Sequence, residues 1–548
     1  MYYNGIRLTI GGKKEMKKFL STLASVSMMS MLLTGCGEAK TQAPVETETP
    51  VPTAEAVEVA DENIHLIYFN DFHGNVAEEV TGKKRNMGMA KMVGFVNEFE
   101  ASHPNTIVLS GGDNYQGTSE SNLTIGKPVT AMMKGMNVVA SAVGNHEFDW
   151  GADKIAEWAK DGNFDYLAAN IEKDGKPVDW AKPYMIQEIN GKKIAFIGLA
   201  HPNTPTLTKA SNIEGLTFTD PIEVAKKWVK FLEDGEAEEG KPDAIVLLTH
   251  IDSSQDKETN EITGTAVDLA EQVEDIDLIL SAHSHRTVNG IVNDVPIIQA
   301  SKYGRAIGVV DMVFDGDNKP EITCEVFQGK DIKDDLIDDE EQVQVRNDLE
   351  EELAPIKNEV LGVATEDISH SRDSKGSNTP LGHWTCEVMA KKTGAQIGIQ
   401  NGGGLRRALL KGDITMGDMY EIMPFDNYLV TADIKGSDLI KQIDHGINMP
   451  ETTDGAFSGL IVEYDSSLPY GEQITNITLE DGTPIDPNAT YSIVTNDFQF
   501  FGGDGYDFSN CTNVDETYVP VRDVLVEAIK EQKELTPDTI DYITDIAK

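Results

Sequence analysis

Short runs of apolar residues, each closed by a polar turn, recur along the first half of the chain. They have the length of buried strands and lie at 64–69, 105–110, 137–143, 193–199, 243–248 and 276–280. Helical patterns lie between them. The alternation predicts an α/β layered domain whose functional residues gather at one edge of a sheet.

Two of the intervening helices have recognisable sequence signals. One is predicted to bury Met89, Met92, Val93 and Val96 on a single face. The other begins at Thr219-Asp220-Pro221, where an aspartate precedes a proline at the first helical position. Its predicted buried stripe is Ile222, Ala225, Trp228, Val229 and Leu232.

Changes in composition divide the chain into five parts. Residues 1–36 are a predicted signal segment, and 37–61, rich in Thr, Pro, Glu and Ala, a flexible tether. Residues 62–330 form the first domain. Residues 331–361 are strongly acidic and helical in pattern apart from Pro355, which indicates a linker, and 362–548 form a second domain.

The N-terminal segment has the features of an export signal. Lys13, Lys14, Lys17 and Lys18 precede an apolar stretch, residues 19–33, that is too short to span a membrane. It ends in Leu33-Thr34-Gly35-Cys36, which resembles the lipobox of bacterial lipoproteins. The resemblance implies a lipid anchor on Cys36 and an extracytoplasmic protein held at the bacterial cell membrane. The alternative is an incidental cysteine in an ordinary signal peptide.

The chain is strongly acidic, with 46 Lys and Arg against 92 Asp and Glu and a net charge of −46. This balance argues against a nucleic-acid polymer or an acidic lipid surface as a partner. An anionic substrate would also be repelled, so a phosphate site needs local cations. The remaining cysteines, Cys324, Cys386 and Cys511, indicate no disulfide framework and are predicted to be small buried hydrophobes.

Five short polar clusters each follow a predicted strand. Imidazole, carboxylate and amide ligands converging from several strand ends suit Zn²⁺, Mn²⁺ or similar ions. Two such ions can clamp both oxygens of an in-line displacement at phosphorus, so the clusters together predict a two-metal phosphoesterase centre. They are Asp71-Phe72-His73, Gly112-Asp113, Asn145-His146-Glu147, Thr249-His250 and His283-Ser284-His285.

His146 has a candidate partner in Asp149, three residues further on. This spacing is one helical turn, so the carboxylate can accept from the imidazole and fix its orientation. The alternative is that Asn145 caps a helix and His146 faces solvent.

The second domain carries a separate set of polar and aromatic motifs. Asn401-Gly402-Gly403-Gly404-Leu405-Arg406 is a turn whose glycines allow close approach of an anion and whose arginine offers a bidentate fork. Met423-Pro424-Phe425 and the segment 496–506, which contains Phe498 and Asp504, accompany it. A plain tight turn and core aromatics are the alternatives.

On these motifs the first half resembles the calcineurin-like metallophosphatases, and residues 62–530 resemble the bacterial and animal 5′-nucleotidase family. The resemblance implies a layered α/β/β/α phosphoesterase domain joined by a helical linker to a smaller α+β substrate-binding domain. It implies one metal on Asp71, His73, Asp113 and His285, and a second on Asp113, Asn145, His250 and His283. His146 and Asp149 would be the catalytic dyad, Phe425 and Phe498 would sandwich the base, and Asp504 would take the ribose hydroxyls.

The phosphate-binding residues depart from the family pattern at one position. An arginine of relatives is replaced here by Lys375, with Arg372 nearby. Lysine keeps the charge but lacks the planar fork, so either residue is a candidate for phosphate binding, with Asn401, Gly403 and Arg406.

The expected function is therefore removal of phosphate from nucleoside 5′-monophosphates outside the cytoplasm, by in-line attack of a hydroxide bridging two divalent ions. A 2′,3′-cyclic nucleotide phosphodiesterase or a UDP-sugar hydrolase would use the same metals and aromatic slot. A solute-binding lipoprotein is a more distant alternative, because it has no need for five ligand clusters. The oligomeric state stays open.

Overall fold

A computed structural model describes residues 62–81, 84–316, 318–332, 336–371, 375, 378–450, 452–537 and 542–548. The predicted signal segment, Cys36, the tether and Arg372 lie outside these residues.

Two six-stranded sheets form the centre of the first domain. The first has the order Glu321–Gln328, Ala306–Val313, Ile64–Phe69, Thr106–Ser110, Val138–Ala142 and Asp165–Leu167. The second has the order Thr287–Val292, Val295–Ala300, Leu278–Ala282, Ala244–Asp252, Lys192–Leu199 and Tyr184–Ile189. The central strands run parallel within each sheet, so their carboxyl ends lie at a common edge.

The two sheets pack face to face through fully buried side chains such as Leu66, Tyr68, Phe196 and Val246. Separate apolar clusters on the outer face of each sheet bury the helices. The layers are therefore α/β/β/α, which confirms the expected fold class.

The six predicted strands all form, with boundaries that differ by a few residues. The largest difference is at the fifth, where Ala244–Asp252 continues beyond the predicted end and takes His250 into the strand. A register shift against Leu278–Ala282 accompanies this extension. His250 therefore lies within this strand and not in the loop that follows it.

The helices of the first domain follow the sequence signals. Met89, Met92, Val93 and Val96 are buried in Gly88–Ser102. Asp220 caps Pro221–Glu233 by accepting from the backbone N–H groups of Ile222 and Glu223. The other α-helices are Ser119–Leu123, Lys127–Gly135, Asp153–Gly162, Thr204–Leu207 and Thr265–Gln272, with 3₁₀ turns at His146–Phe148, Ala210–Ile213 and Gly329–Asp331.

Short strands complete the first domain. They are Glu79–Thr81, Lys84–Asn86, Ile171–Lys173, Lys176–Pro177, Leu216–Phe218, Ser254–Gln255 and Ile262–Thr263.

The predicted acidic linker contains one helix, Glu340–Lys357, with Pro355 inside its last turn. Asp339 caps it, and the buried residues Leu349 and Leu353 lie on its packed side. The helix contacts Gly88–Ser102 and Lys127–Gly135 of the first domain. The residues up to 361 are not all helical, because the strand Val360–Ala364 already begins the second domain.

The second domain combines three sheets with five α-helices in its described part. A five-stranded sheet has the order Ala456–Ser458, Ile397–Gln400, Thr490–Asn496, Tyr428–Lys435 and Thr512–Pro520. Two three-stranded sheets are Gly412–Thr415, Val360–Ala364, Glu534–Leu535 and Ile474–Leu479, Leu460–Tyr464, Ile543–Asp545. The helices are Pro380–Thr393, Met416–Ile422, Gly436–His445, Asp497–Phe500 and Val521–Gln532, and 3₁₀ turns lie at Gly402–Gly404 and Gly503–Gly505.

Cys324, Cys386 and Cys511 are free thiols, and Cys386 is fully buried. Within the described residues, none of the helices combines the length and the apolar character required to cross a membrane.

Candidate metal centre and substrate cleft

Asp71, His73 and His285 form the first of two ligand groups. The Nε2 atoms of the two histidines lie 3.0 Å apart, and His285 Nε2 lies 3.3 Å from Asp71 Oδ1. Asp71 follows the strand Ile64–Phe69, and His285 follows Leu278–Ala282. Residues more than 200 positions apart therefore meet at one edge, as the strand pattern predicts.

Asp113, His250 and His283 form the second group. His250 Nε2 lies 3.2 Å from Asp113 Oδ2 and 3.2 Å from Nδ1 of His283. The same Asp113 oxygen is 3.8 Å from His73 Nε2 in the first group. Asp113 thus stands between the two groups, in the place a bridging ligand requires.

Hydrogen bonds on the far side of two imidazoles fix which nitrogen faces inward. Nδ1 of His73 donates to the carbonyl of Gln116 at 2.8 Å, and Nδ1 of His250 donates to that of Gly111 at 2.7 Å. Each Nε2 then keeps its lone pair and points at the other ligands. Such a backbone partner is typical of metal-binding histidines.

Two buried oxygens point to cations at these groups. Oδ1 of Asp71 and Oδ1 of Asn145 have no hydrogen-bond partner among the described residues. Leaving buried polar atoms unpaired is costly, so each needs an explanation. Both belong to predicted ligands, and the donor set of imidazole, carboxylate and amide fits Zn²⁺, Mn²⁺ or similar ions.

Without a cation, the pKa values of the buried ligands depart from their ordinary values in both directions. Burial lowers the pKa of His250, but Asp113 outweighs burial and raises that pKa to about 10. Burial raises the pKa of Asp71 to about 7 and lowers the pKa of His73 well below its ordinary value. Burial acts in the raising direction on Asp113 too, but His250 and His146 hold the pKa of that carboxyl well below its ordinary value. A divalent ion would favour the ionised carboxylates and the neutral imidazoles alike.

The ligand loops have an unusual backbone. Five of the seven predicted ligands have positive φ: Asp71 (50°), His73 (50°), Asp113 (53°), His283 (66°) and His285 (60°). A left-handed non-glycine residue costs about 1–3 kcal/mol and persists where its surroundings fix it. Here the loops fix one another, because the N–H groups of Asp71 and His73 donate to the carbonyls of Gly112 and Asp113 at 3.0 Å.

His146 and Asp149 pair as predicted, with 2.8 Å between Nδ1 and Oδ2. His146 is the first residue of the 3₁₀ turn His146–Phe148 and Asp149 follows its last, and the tight pitch of such a turn brings positions three apart together. Burial lowers the pKa of His146, but Asp149 and Asp113 outweigh that effect and the pKa is raised. The backbone N–H of His146 donates to Asp113 at 2.8 Å, which ties the pair to the ligand groups.

One cavity of about 1980 Å³ connects the ligand groups to the motifs of the second domain. The Phe425 ring stacks near His146 with centroids 5.9 Å apart, and the Arg406 guanidinium lies 5.5 Å from the Phe425 centroid. Arg406 also donates to the carbonyl of Gly403 at 3.2 Å. The glycine-rich turn therefore presents its arginine toward the predicted catalytic pair.

The other predicted substrate residues line the same cavity. Asn401 donates to Asp504 at 2.7 Å, which joins the glycine-rich turn to the segment 496–506. Phe498 lies against Gly503, where a Cβ would be 2.5 Å from the ring, so this position requires glycine. Lys375 Nζ contacts the carbonyls of Met449 and Thr452, and those contacts hold it at the cavity rim.

The cavity wall has the opposite charge balance to the whole chain. Ten lysine and arginine residues and six aspartates line it, whereas the chain has twice as many acidic as basic residues. The local cations required for a phosphate site are therefore present.

Comparison with known proteins gives a consistent picture. Residues 64–287 match the family described as calcineurin-like phosphoesterase, and residues 360–510 match the 5′-nucleotidase C-terminal domain. A 5′-nucleotidase precursor from Thermus thermophilus has a TM-score of 0.77 at 25% identity, covering 89% of this chain and 100% of that one. The chain belongs to the 5′-nucleotidase family.

The chain spans most of the length of one curated relative but only about a third of two others. Protein UshA of Yersinia enterocolitica is 28% identical over 496 residues, covering 81% of this chain and 86% of UshA. Endonuclease YhcR of Bacillus subtilis is 30% identical over 461 residues, covering 79% of this chain. The chain spans only 37% of YhcR and 32% of a second B. subtilis relative, the trifunctional nucleotide phosphoesterase protein YfkN.

Sequence reasoning assigned no role to three polar residues of this family member's site. Glu147 is fully buried and accepts from the backbone N–H groups of Asp113, Asn114 and Gly144 at 2.7–2.9 Å. His201 packs on His283 with centroids 4.3 Å apart. His201 follows the strand Lys192–Leu199. A search for polar residues directly after each predicted strand would therefore have found it.

The third missed residue is Lys209, which joins the two domains. Its Nζ lies 2.9 Å from Oδ2 of Asp497, a fully buried carboxylate next to Phe498. It also lies 4.7 Å from the centroid of Tyr428. No local sequence signal marks this contact.

Substituting Asp113→Ala is expected to abolish binding of both metal ions, because this carboxylate serves both groups. Asp71→Ala should remove the ion of the first group and leave one per chain. Elemental analysis after dialysis, with circular dichroism as the check on folding, measures this. Two retained ions in Asp113→Ala would contradict the bridging role.

Substituting Glu147→Gln should weaken metal binding by about 10 to 100-fold, because its amide NH₂ cannot accept from the N–H groups that hold the two ligand loops. A competition titration with a chromogenic chelator measures the affinity. Glu157→Gln, in the exposed part of Asp153–Gly162, is the matched control. Equal affinities in the two variants would show that Glu147 does not position the ligands.

Proposed function

We propose that this protein hydrolyses nucleoside 5′-monophosphates to nucleoside and phosphate. The observation that carries the proposal is the single cavity in which the two ligand groups face Arg406, Phe425, Phe498 and Asp504. Family membership supports phosphoester hydrolysis in general, and the aromatic and ribose-binding motifs support a nucleoside as the group attached to phosphate.

The two ligand groups are proposed to hold two divalent ions, on the residues given above. When bound, such ions stabilise negative charge on phosphoryl oxygens and lower the pKa of water to near neutrality. Asn145, whose Oδ1 is buried and unpaired, adds an oxygen ligand to the second group without adding charge. Asp113 sets the separation of the groups.

His146 is proposed to stabilise the charge that develops on the transferring phosphoryl group. Its Nδ1 is held by Asp149, so the imidazole is fixed in orientation and its Nε2 is the remaining polar atom. The raised pKa of His146 favours the cationic form, which suits a negatively charged partner. Arg406 adds a second cation from the other domain.

The nucleoside is proposed to occupy the second-domain wall. Phe498, supported by Gly503, and Phe425 offer flat apolar surfaces for a base. Asp504, oriented by Asn401, offers acceptors to the ribose hydroxyls. Stacking tolerates any base, so a broad base preference is expected.

We further propose that the protein acts outside the cytoplasm, anchored by lipid on Cys36. The basic residues before the apolar stretch 19–33 and the lipobox-like sequence support this. Metabolic labelling with a palmitate analogue tests it: wild type should be labelled and Cys36→Ser should not.

Diester or diphosphate substrates are the second candidate, with 2′,3′-cyclic nucleotides and UDP-sugars as the examples. The large cavity favours them, and so do the names of the relatives YhcR and YfkN. Initial rates with AMP, a 2′,3′-cyclic nucleotide and UDP-glucose decide between the candidates. AMP should give the highest kcat/KM, and hydrolysis should stop with a chelator; binding without turnover would instead indicate a solute-binding protein.

Substituting Phe498→Ala should raise KM for AMP by about 5 to 150-fold, which corresponds to the loss of about 1–3 kcal/mol of base stacking. KM for 4-nitrophenyl phosphate should change little, since it carries no base. The control is Phe501→Ala, a neighbouring ring that is 53% exposed. Equal changes in KM for both substrates would remove the stacking role.

A further inference from the structure

A cluster of cationic side chains lies on the part of the cavity wall that the first domain provides. It consists of Lys84, Arg85, Arg286, Lys302, Arg305 and Lys330, and we call it the basic face. Arg85 pairs with Glu78 at 2.7 Å. Six cationic side chains on one part of the wall contrast with the net charge of −46 of the whole chain.

The basic face is continuous with the first ligand group. Nζ of Lys302 lies 3.3 Å from Nδ1 of His285, and Arg286 directly follows that ligand. The Tyr303 ring lies 5.9 Å from the His285 ring and 5.7 Å from the His73 ring. An anion on this face would therefore be a close neighbour of a phosphate held at the ligand groups.

The turn 301–305, which carries two of the cations, is fixed in an unfavourable backbone conformation. Ser301 (φ 59°) and Tyr303 (φ 60°) are both left-handed. The N–H of Tyr303 donates to the carbonyl of Asp71 at 2.8 Å, and the N–H of Ser301 donates to that of Arg286 at 2.9 Å. Strain that is held in place by a ligand loop points to a functional role.

The side chains of this turn are positioned as well. Lys302 Nζ lies 4.8 Å and the Arg305 guanidinium 5.0 Å from the centroid of Tyr303. Nε of Arg305 donates to Oδ1 of Asn86 at 2.8 Å. These contacts fix the positions of the two cationic groups.

We propose that the basic face is a second anion subsite, which binds a phosphate group beside the one at the ligand groups. Guanidinium and ammonium groups on a rigid turn suit the oxygens of a phosphate dianion, whose charge relieves their mutual repulsion. The phosphate is either the released product or a second phosphate of the substrate. The source of the phosphate rests on the proposed function. Binding of phosphate to the basic face does not, because binding requires no hydrolysis.

Isothermal titration calorimetry, in which inorganic phosphate is added to the chelator-treated full chain, tests the subsite without metal ions. Wild type should bind saturably. The double variant Arg286→Gln/Lys302→Gln should weaken binding at least tenfold. Arg286→Gln/Lys330→Gln, which leaves the strained turn 301–305 unchanged, should have the same effect. Lys176→Gln, which changes an exposed lysine of the same domain, should bind like wild type.

Two results would overturn the subsite. One is the absence of saturable phosphate binding to chelator-treated wild type. The other is unchanged binding in both double variants.

Steady-state kinetics of the metal-loaded chain identifies the source of the phosphate. A raised inhibition constant for phosphate in the double variants, with KM for AMP and UDP-glucose unchanged, indicates the product. A raised KM for UDP-glucose alone indicates a second phosphate of the substrate. If wild type binds phosphate in calorimetry but hydrolyses no nucleotide, the proposed function fails while the subsite stands.

Discussion

The electrostatic demand of a few buried ligands governs the structure at the edge of the two sheets. Imidazole nitrogens of the ligands lie 3.0–3.2 Å apart, and the Oδ1 atoms of Asp71 and Asn145 are buried with no hydrogen-bond partner among the described residues. Without cations this arrangement is unfavourable, because buried polar atoms are left unsatisfied. Divalent ions would turn the same atoms into satisfied ligands and so stabilise the folded site.

The charge distribution separates solubility from recognition. The acidic residues lie mostly away from the cavity, where they keep the chain soluble but repel anionic substrates at long range. The cavity wall has the opposite balance, with more basic than acidic side chains. Since charges beyond a Debye length of about 8 Å are largely screened at physiological ionic strength, the local cations dominate once a substrate has entered.

Much of the fold, and which polar residues meet at the sheet edge, could be predicted because the evidence is local in sequence. Strand-like runs and the polar residues behind them indicate a shared sheet edge, and the pairing of His146 with Asp149 follows from spacing. Glu147 and Lys209 could not be assigned, because their partners are backbone groups 33 or 34 residues away or a carboxylate in another domain. The family resemblance led us to expect Asp113 between the two groups, whereas the left-handed backbone of the ligands exists only in three dimensions. The acidic linker was only partly helical, because Val360 already pairs with Thr415 in a sheet.

The contact between the domains explains how a site divided over two cores can act as one. Asp497 is buried beside Phe498, and Lys209 of the first domain supplies its counter-charge. Separation of the domains would leave that carboxylate without this partner, and breaking a buried pair costs far more than an exposed pair contributes. The same arrangement of the domains brings Arg406 and Phe425 to His146. The arrangement that joins the two walls of the cavity is thus also the one that satisfies a buried charge.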